Sequence, residues 1–123
     1  MCAFSDKKKR KVKVRLAMTF FCTGKTSGAY LEFQRGEYTH PWREDSIYIY
    51  DEVCAYAGLE RIFRDAIPGY DTYGLTRVTK DDWAKVESMA ARRGGAAAEA
   101  VEEAKWWTAK ALEEDGFFTI CGI

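Results

Sequence analysis

The sequence has one histidine, two prolines and no closely spaced pair of cysteines among its 123 residues. A lone histidine makes a Ser–His–Asp triad or a multi-histidine metal site hard to build. The cysteines, Cys2, Cys22, Cys54 and Cys121, form no CxxC pair, so zinc and thioredoxin-like redox sites lose their main support. No secretory signal is recognisable near the N-terminus. We therefore expect reduced thiols and a cytoplasmic location.

Long hydrophobic runs are also absent, because no segment approaches the roughly 18 apolar residues of a membrane span. The composition is 47% hydrophobic and 15% aromatic with a net charge of zero, which excludes a disordered chain. The length suits one domain with a sizeable core, and we expect residues 1–123 to form a single α+β domain.

The charges that are present divide the chain into two parts. Residues 1–43 contain ten Lys and Arg against three Asp and Glu, whereas residues 44–123 contain nine against sixteen. This polarity either steers a charged partner to one face or reflects different solvent faces of sheet and helices. Lys11, Lys13 and Arg15 lie on one face of a predicted strand and could contact phosphates. Nucleic-acid binding by a basic N-terminal hairpin is therefore the alternative function.

Alternation of apolar and polar residues predicts the strands. Residues 11–22 and 29–34 alternate on either side of a Gly-rich turn, which predicts a hairpin. Short β-prone runs follow at 46–50 and 73–78. Residues 117–123 are apolar on both faces, which is typical of a central strand.

Apolar steps of three and four residues predict three helices. The first runs from Glu52 to Ile67, the second opens at Thr79, and the third runs from Ala96 to Glu114. Asp82 follows Thr79 at the spacing of a capping box. The mixed order of elements predicts a mostly antiparallel sheet of four to five strands, with about three helices packed on one face.

The signals for catalysis are weak throughout the sequence. Gly24-Lys25-Thr26 imitates the end of a phosphate-binding loop, but a strand pattern follows instead of a helix. An enzyme site in the loop around His40 would need convergent carboxylates or a cysteine. The adjacent carboxylate pairs on helices point about 100° apart, so they do not converge. We expect no catalytic residue, no metal and no cofactor.

Two adjacent tryptophans lie in the third predicted helix. Trp107 lies over Ala104 and Ala111, so it is predicted to face inward. Trp106 lies among polar neighbours and is predicted to be exposed. It either anchors an interface or covers a neighbouring element.

Residues 47–89 carry a pattern that resembles a known class of protein. A predicted capped helix leads into the aromatic turn Tyr-Asp-x-Tyr-Gly-x-Thr, followed by a strand and a helix with an early tryptophan. The positions are Tyr70, Asp71, Tyr73, Gly74, Thr76 and Trp83. This pattern resembles the small cytoplasmic immunity proteins of bacterial polymorphic and contact-dependent inhibition systems. We expect Trp83 itself to be core.

The resemblance implies a non-enzymatic inhibitor that binds and neutralises one cognate toxin domain, without a membrane. If the toxin is a nuclease, an acidic face would occupy its basic groove, and aromatic residues would supply most of the affinity. The acidic candidates for this contact are Asp51, Glu52, Asp71, Glu99, Glu102 and Glu103. The aromatic candidates are Tyr70, Tyr73 and Trp106.

Overall fold

The computed structural model describes residues 19–24 and 28–122, and within them five antiparallel strands form one sheet. The strands are β1 (Phe21–Thr23), β2 (Tyr30–Arg35), β3 (Ile47–Tyr50), β4 (Leu75–Thr79) and β5 (Phe117–Cys121). They lie in the order β1-β3-β2-β5-β4. The helices are α1 (Asp51–Ala57), α2 (Leu59–Ala66), α3 (Lys80–Arg93), α4 (Gly95–Glu103) and α5 (Lys105–Asp115). The predicted α+β class is confirmed.

One face of the sheet packs against the helices and forms the core. Phe33 on β2 is fully buried, and its ring lies among five other aromatic rings. The centroid separations range from 5.4 to 6.2 Å, and the neighbours are Phe21, Phe63, Trp83, Trp107 and Phe118. The inward orientation of Trp107 and the core position of Trp83 are both confirmed.

The central position of β5 is also confirmed, because this strand lies between β2 and β4 and is buried on both faces. The capping box at the start of α3 forms as predicted. The Asp82 N–H donates to the Thr79 hydroxyl at 3.2 Å, and the Asp82 carboxylate accepts from the Thr79 N–H at 3.1 Å.

In the part that the structure describes, the predicted pairing of the N-terminal hairpin is wrong. β1 pairs with β3, and β2 pairs with β3 and β5. The alternation of residues sets which face of a strand is buried, but it carries no information about the neighbouring strand. Residues 11–18 of the first predicted strand lie outside the described residues.

Two predicted helices are each divided in the structure. Gly58 ends α1 in a left-handed conformation with φ of 75°. A Cβ at this position would lie 2.6 Å from the Arg93 guanidinium, so both the conformation and the packing favour glycine. Ala104 separates α4 from α5, and its N–H bonds to the Ala100 carbonyl. The apolar periodicity continues through both breaks, which is why three helices were predicted where the described residues form five.

Cysteine chemistry differs in part from expectation. Cys54 and Cys121 are free and buried, as expected for reduced thiols. The expectation is wrong for Cys22, which is disulfide-bonded. As for membranes, none of the helices within residues 19–24 and 28–122 combines the length and the apolar character needed to cross a bilayer.

Candidate functional site

The face of the sheet opposite the helices, here called the open face, carries a polar network and a cleft. Strand alternation places Leu31 and Phe33 in the core and turns Glu32 the other way. Tyr48 on β3 and Cys121 on β5 pair with Glu32 across the strands and share its face. The loop of residues 36–46 folds over this part of the sheet, so the polar side chains beneath it are buried.

Glu32 is the centre of the polar network, although its residue surface is only 5% exposed. Its Oε1 accepts a hydrogen bond from the backbone N–H of Trp42 at 3.0 Å. Its Oε2 accepts four, with distances from 2.7 to 3.4 Å, and the donors are Arg43 N–H, Ser46 Oγ, Gln34 Nε2 and Tyr48 OH. A buried carboxylate is tolerated when donors surround it in this way.

The same network fixes the loop that covers it. The Gln34 amide donates to the His40 carbonyl at 2.6 Å and accepts from the Thr39 N–H at 3.2 Å. Trp42 has a φ of 64°, which is a strained conformation for a residue with a side chain. The hydrogen bond from its N–H to Glu32 helps to hold it there. The loop therefore presents the Trp42 ring from a backbone fixed at several points.

A cleft of about 510 Å³ opens beside this loop. Its volume lies within the range of about 300–1,000 Å³ that is typical of ligand pockets. Four aromatic residues line it, namely Tyr30, Tyr38, Trp42 and Tyr73, and Glu32, Leu75 and Cys121 also contribute to its lining. Three of the lining side chains are large and strongly exposed, namely Tyr73 at 78%, Leu75 at 55% and Trp42 at 48%.

The surroundings of the cleft raise the pKa of two acidic groups. Burial raises the pKa of the Tyr48 phenol to about 12, and the negative charge of Glu32 adds to the effect. Burial likewise raises the pKa of the Cys121 thiol to about 12, again with a contribution from Glu32. Both groups stay protonated near neutral pH, so Cys121 is a poor nucleophile there.

Several of the predicted contact residues lie around this cleft. Tyr73 lines it directly. Asp71 accepts a hydrogen bond from the Tyr73 N–H at 2.9 Å and so shapes the turn that presents this ring. Asp51 and Glu52 line a shallow recess that shares Ala29 with the cleft. The structure thus brings together an aromatic residue and three carboxylates that were predicted separately.

Other predicted contact residues lie elsewhere or are engaged within the fold. The Glu103 carboxylate accepts the N–H groups of Thr19, Phe20 and Phe21, which anchors the start of β1. Tyr70 is half-buried, and its ring packs at a tilted angle against Phe63, with 5.6 Å between the ring centroids.

Glu99 and Glu102 are exposed on α4, away from the cleft lining. Trp106 is 50% exposed, as expected, but it lines a separate depression of about 200 Å³ that shares no residue with the cleft. Lys11, Lys13 and Arg15, the candidates for nucleic-acid binding, lie outside the described residues.

Neither a histidine site nor a metal cluster is seen in the part of the chain that the structure describes. His40 is exposed, does not line the cleft, and places its Nδ1 3.1 Å from the Pro41 carbonyl oxygen. No group of three or more His, Cys, Asp or Glu within residues 19–24 and 28–122 could hold a metal ion. What the cleft offers a ligand is aromatic surface and negative charge.

Comparison with known protein families, curated proteins and solved structures finds no match. The features of the cleft therefore stand on the geometry of this chain alone.

Sequence reasoning missed Glu32, Tyr38 and Trp42 as members of the site. The alternation of residues 29–34 assigns Glu32 to a strand but gives it no partner, and residues 35–45 are predicted only as a loop. One signal was available, because the loop contains two aromatic residues and is flanked by strands whose outer faces carry polar residues. That signal does not say where the loop folds.

Proposed function

We propose that this chain is a non-enzymatic inhibitor of the immunity-protein class, which binds and neutralises a cognate bacterial toxin domain in the cytoplasm. The observation that carries the proposal is the cluster of exposed Trp42, Tyr73 and Leu75 around one open cleft. Contiguous exposed aromatic and apolar side chains of this kind mark interaction sites on protein surfaces. Trp and Tyr are also the residues most often found as binding hot spots.

The fixed loop supports binding to a protein partner. Residues 39, 40, 42 and 43 are bound to Glu32 or Gln34 before any partner arrives. A surface that is ordered in advance loses little conformational entropy on binding, so more of the contact energy appears as affinity. This is a useful property for an inhibitor that must hold its target tightly.

The charges near the cleft favour a basic partner. Asp51, Glu52 and Asp71 are exposed around it, and Glu32 adds a negative charge to its lining. Complementary charge raises the rate of association and selects among partners. If the toxin is a nuclease, its basic nucleic-acid groove would match this surface.

The test is protection of cells against a toxin. The chain is co-expressed with the toxin domain encoded beside its gene, and growth and co-purification are measured. We expect restored growth and a stable complex that buries about 1,200–2,000 Å². The double variant Tyr73→Ala/Leu75→Ala should weaken the complex by at least about tenfold, since hot-spot residues each contribute more than about 1 kcal/mol.

The matched control is Tyr56→Ala. Tyr56 lies on α1, is not part of the cleft lining and is 76% exposed, close to the 78% of Tyr73. It should bind and protect like the unchanged chain. Toxicity that is unaffected by excess of the chain would count against the proposed function, and equal effects of the Tyr56 and Tyr73 substitutions would count against the cleft.

A further inference from the structure

Among the residues that the structure describes, no cationic side chain bonds to the carboxylate in the cleft lining. Glu32 is surrounded by neutral donors, and no Lys, Arg or His within residues 19–24 and 28–122 forms an ion pair with it. Within the described part of the chain, its Oε2 accepts four hydrogen bonds, whereas its Oε1 accepts one, from the Trp42 N–H. A carboxylate oxygen has two lone pairs, so Oε1 can accept one more donor.

Three described arginines on the sheet and its covering loop are bonded elsewhere. Arg43 donates its backbone N–H to Glu32, but its guanidinium bonds to the carbonyls of Arg35 and Glu37 and to Asp45. Arg77, on β4, lies over the Phe117 ring at 3.8 Å from its centroid. Arg35 pairs with Glu114 and Asp115 on α5. The negative charge in the cleft therefore remains unmatched by these residues.

The aromatic residues that line the cleft favour a cation, as the Glu32 carboxylate does. An aromatic ring carries negative charge density on its faces and attracts a cation placed within about 6 Å of its centroid. Tyr38 and Tyr73 line the same space as Glu32. Aromatic rings combined with one carboxylate form a common arrangement for recognition of cationic groups.

We propose that the cleft receives an arginine side chain of the partner protein, with its guanidinium between the tyrosine rings and directed at Glu32 Oε1. The proposal rests on the proposed function, because it names the chemistry that the partner presents. Arginine fits better than lysine, since its planar group stacks on aromatic rings and donates several hydrogen bonds at once. The exposed Asp51 and Glu52 near the cleft add long-range attraction for the same cation.

The site can be tested before any partner is known. The chain is titrated with a blocked Gly-Arg-Gly tripeptide and with its citrulline counterpart, which has a similar shape but no charge. Backbone amide signals of Tyr73, Gly74 and Gly122 are followed by NMR, because these residues line the cleft. We expect the arginine peptide to shift these signals and to bind about tenfold more tightly than the citrulline peptide, as a charged hydrogen bond would give.

Three variants separate the contributions of charge and aromatic surface. Glu32→Gln should remove about tenfold of the affinity for the arginine peptide and leave that for the citrulline peptide unchanged. Tyr73→Phe should keep binding, whereas Tyr73→Leu should weaken it about threefold, because leucine is apolar but has no π face. If Glu32→Gln fails to fold, the Tyr73 pair decides the question, since that side chain is exposed.

Equal binding of the two peptides, or shifts confined to other surfaces, would overturn the arginine site. The outcome is separable from that of the proposed function. If toxin protection fails but the arginine peptide occupies the cleft, the proposed function fails and the cation site stands. If protection and affinity for the toxin persist in both Glu32→Gln and Tyr73→Leu, the inhibitor stands and the arginine site is wrong.

Discussion

On the helix-covered face of the sheet, Phe33 packs against aromatic rings of the core, whereas on the open face its neighbour Glu32 accepts five hydrogen bonds. These two residues are adjacent in β2 and both are buried. The apolar side gains its stability from area removed from water. On the polar side, every buried donor and acceptor needs a hydrogen-bond partner, because an unpaired one lowers the stability of the fold.

The comparison shows why the two faces have different roles. A close-packed apolar core tolerates little change in shape, so it suits a structural role. The network around Glu32 instead holds a loop in a defined position and leaves aromatic rings exposed beside it. The predictions below test whether stability and binding are divided between the faces in this way.

The largest effect is expected from Phe33→Ala on the helix-covered face. Removing a buried ring from the centre of the aromatic cluster leaves a cavity, and the free energy of unfolding should fall by about 3–5 kcal/mol. Denaturant-induced unfolding measures this change. A loss below about 1 kcal/mol would show that the core does not depend on this ring.

A smaller but still large loss is expected from Glu32→Ala on the open face. The donors left unpaired should lower the free energy of unfolding by about 2–3 kcal/mol. Hydrogen exchange gives the sharper readout. The amides of Trp42 and Arg43 should exchange much faster. Those of Phe33 and Phe118 should lose only the protection that corresponds to the lower free energy of global unfolding. Unchanged exchange in the loop would mean that Glu32 does not hold it.

High pH should lower the free energy of unfolding, and the buried thiols on the two faces should contribute to this loss to a similar degree. Burial raises the pKa of the Cys54 thiol, on the helix side, and of the Cys121 thiol, on the open side, from an ordinary 9.0 to about 12. Because the folded state retains these protons, the stability they contribute is complete below pH 9 and is lost as the pH rises toward 12. Each thiol should contribute a slope of up to about 1.4 kcal/mol per pH unit.

The measurement is the free energy of unfolding between pH 9 and pH 10, where the Tyr48 phenol contributes alike to the unchanged chain and to both cysteine variants. Cys54→Ala and Cys121→Ala should each reduce the slope by a similar amount, whatever their effect at pH 7. A reduction for Cys54→Ala alone would show that the thiol beside the cleft is well hydrated.

The smallest effect is expected at the rim of the cleft. Tyr73→Ala and the control Tyr56→Ala should each change the free energy of unfolding by less than about 0.5 kcal/mol, since both side chains are exposed. Thermal unfolding of the two variants checks this. A large loss for Tyr73→Ala alone would mean that the ring supports the fold, and its effect on binding would then need the Tyr73→Phe variant for interpretation.

Local patterns were enough to predict much of the helix-covered face. Thr79 and Asp82 are three residues apart and form the capping box that this spacing indicates. The neighbours of Trp107 at helical spacing are alanines, and the ring is buried. These features depend on residues that are close in the sequence, so they could be predicted.

The site on the open face could not be predicted, because it is formed by contacts between residues that are far apart in the sequence. Glu32 and Ser46 are fourteen residues apart, and the pairing of β2 with β3 that brings them together was not predicted from the sequence. Nothing near Glu32 in the sequence distinguishes it from a solvated strand residue. For the same reason, Tyr73 was predicted as a contact residue while its neighbours Trp42 and Tyr38 in the cleft were not.

Residues close together in the chain were sufficient to predict the fold class, the burial of Trp83 and Trp107 and the start of α3, because periodicity and capping act over a few residues. The tertiary structure decided the strand order, the division of two helices and the position of the 36–46 loop. These depend on which distant groups can satisfy one another. The cleft belongs to this second group, since four separate segments of the chain meet to form it.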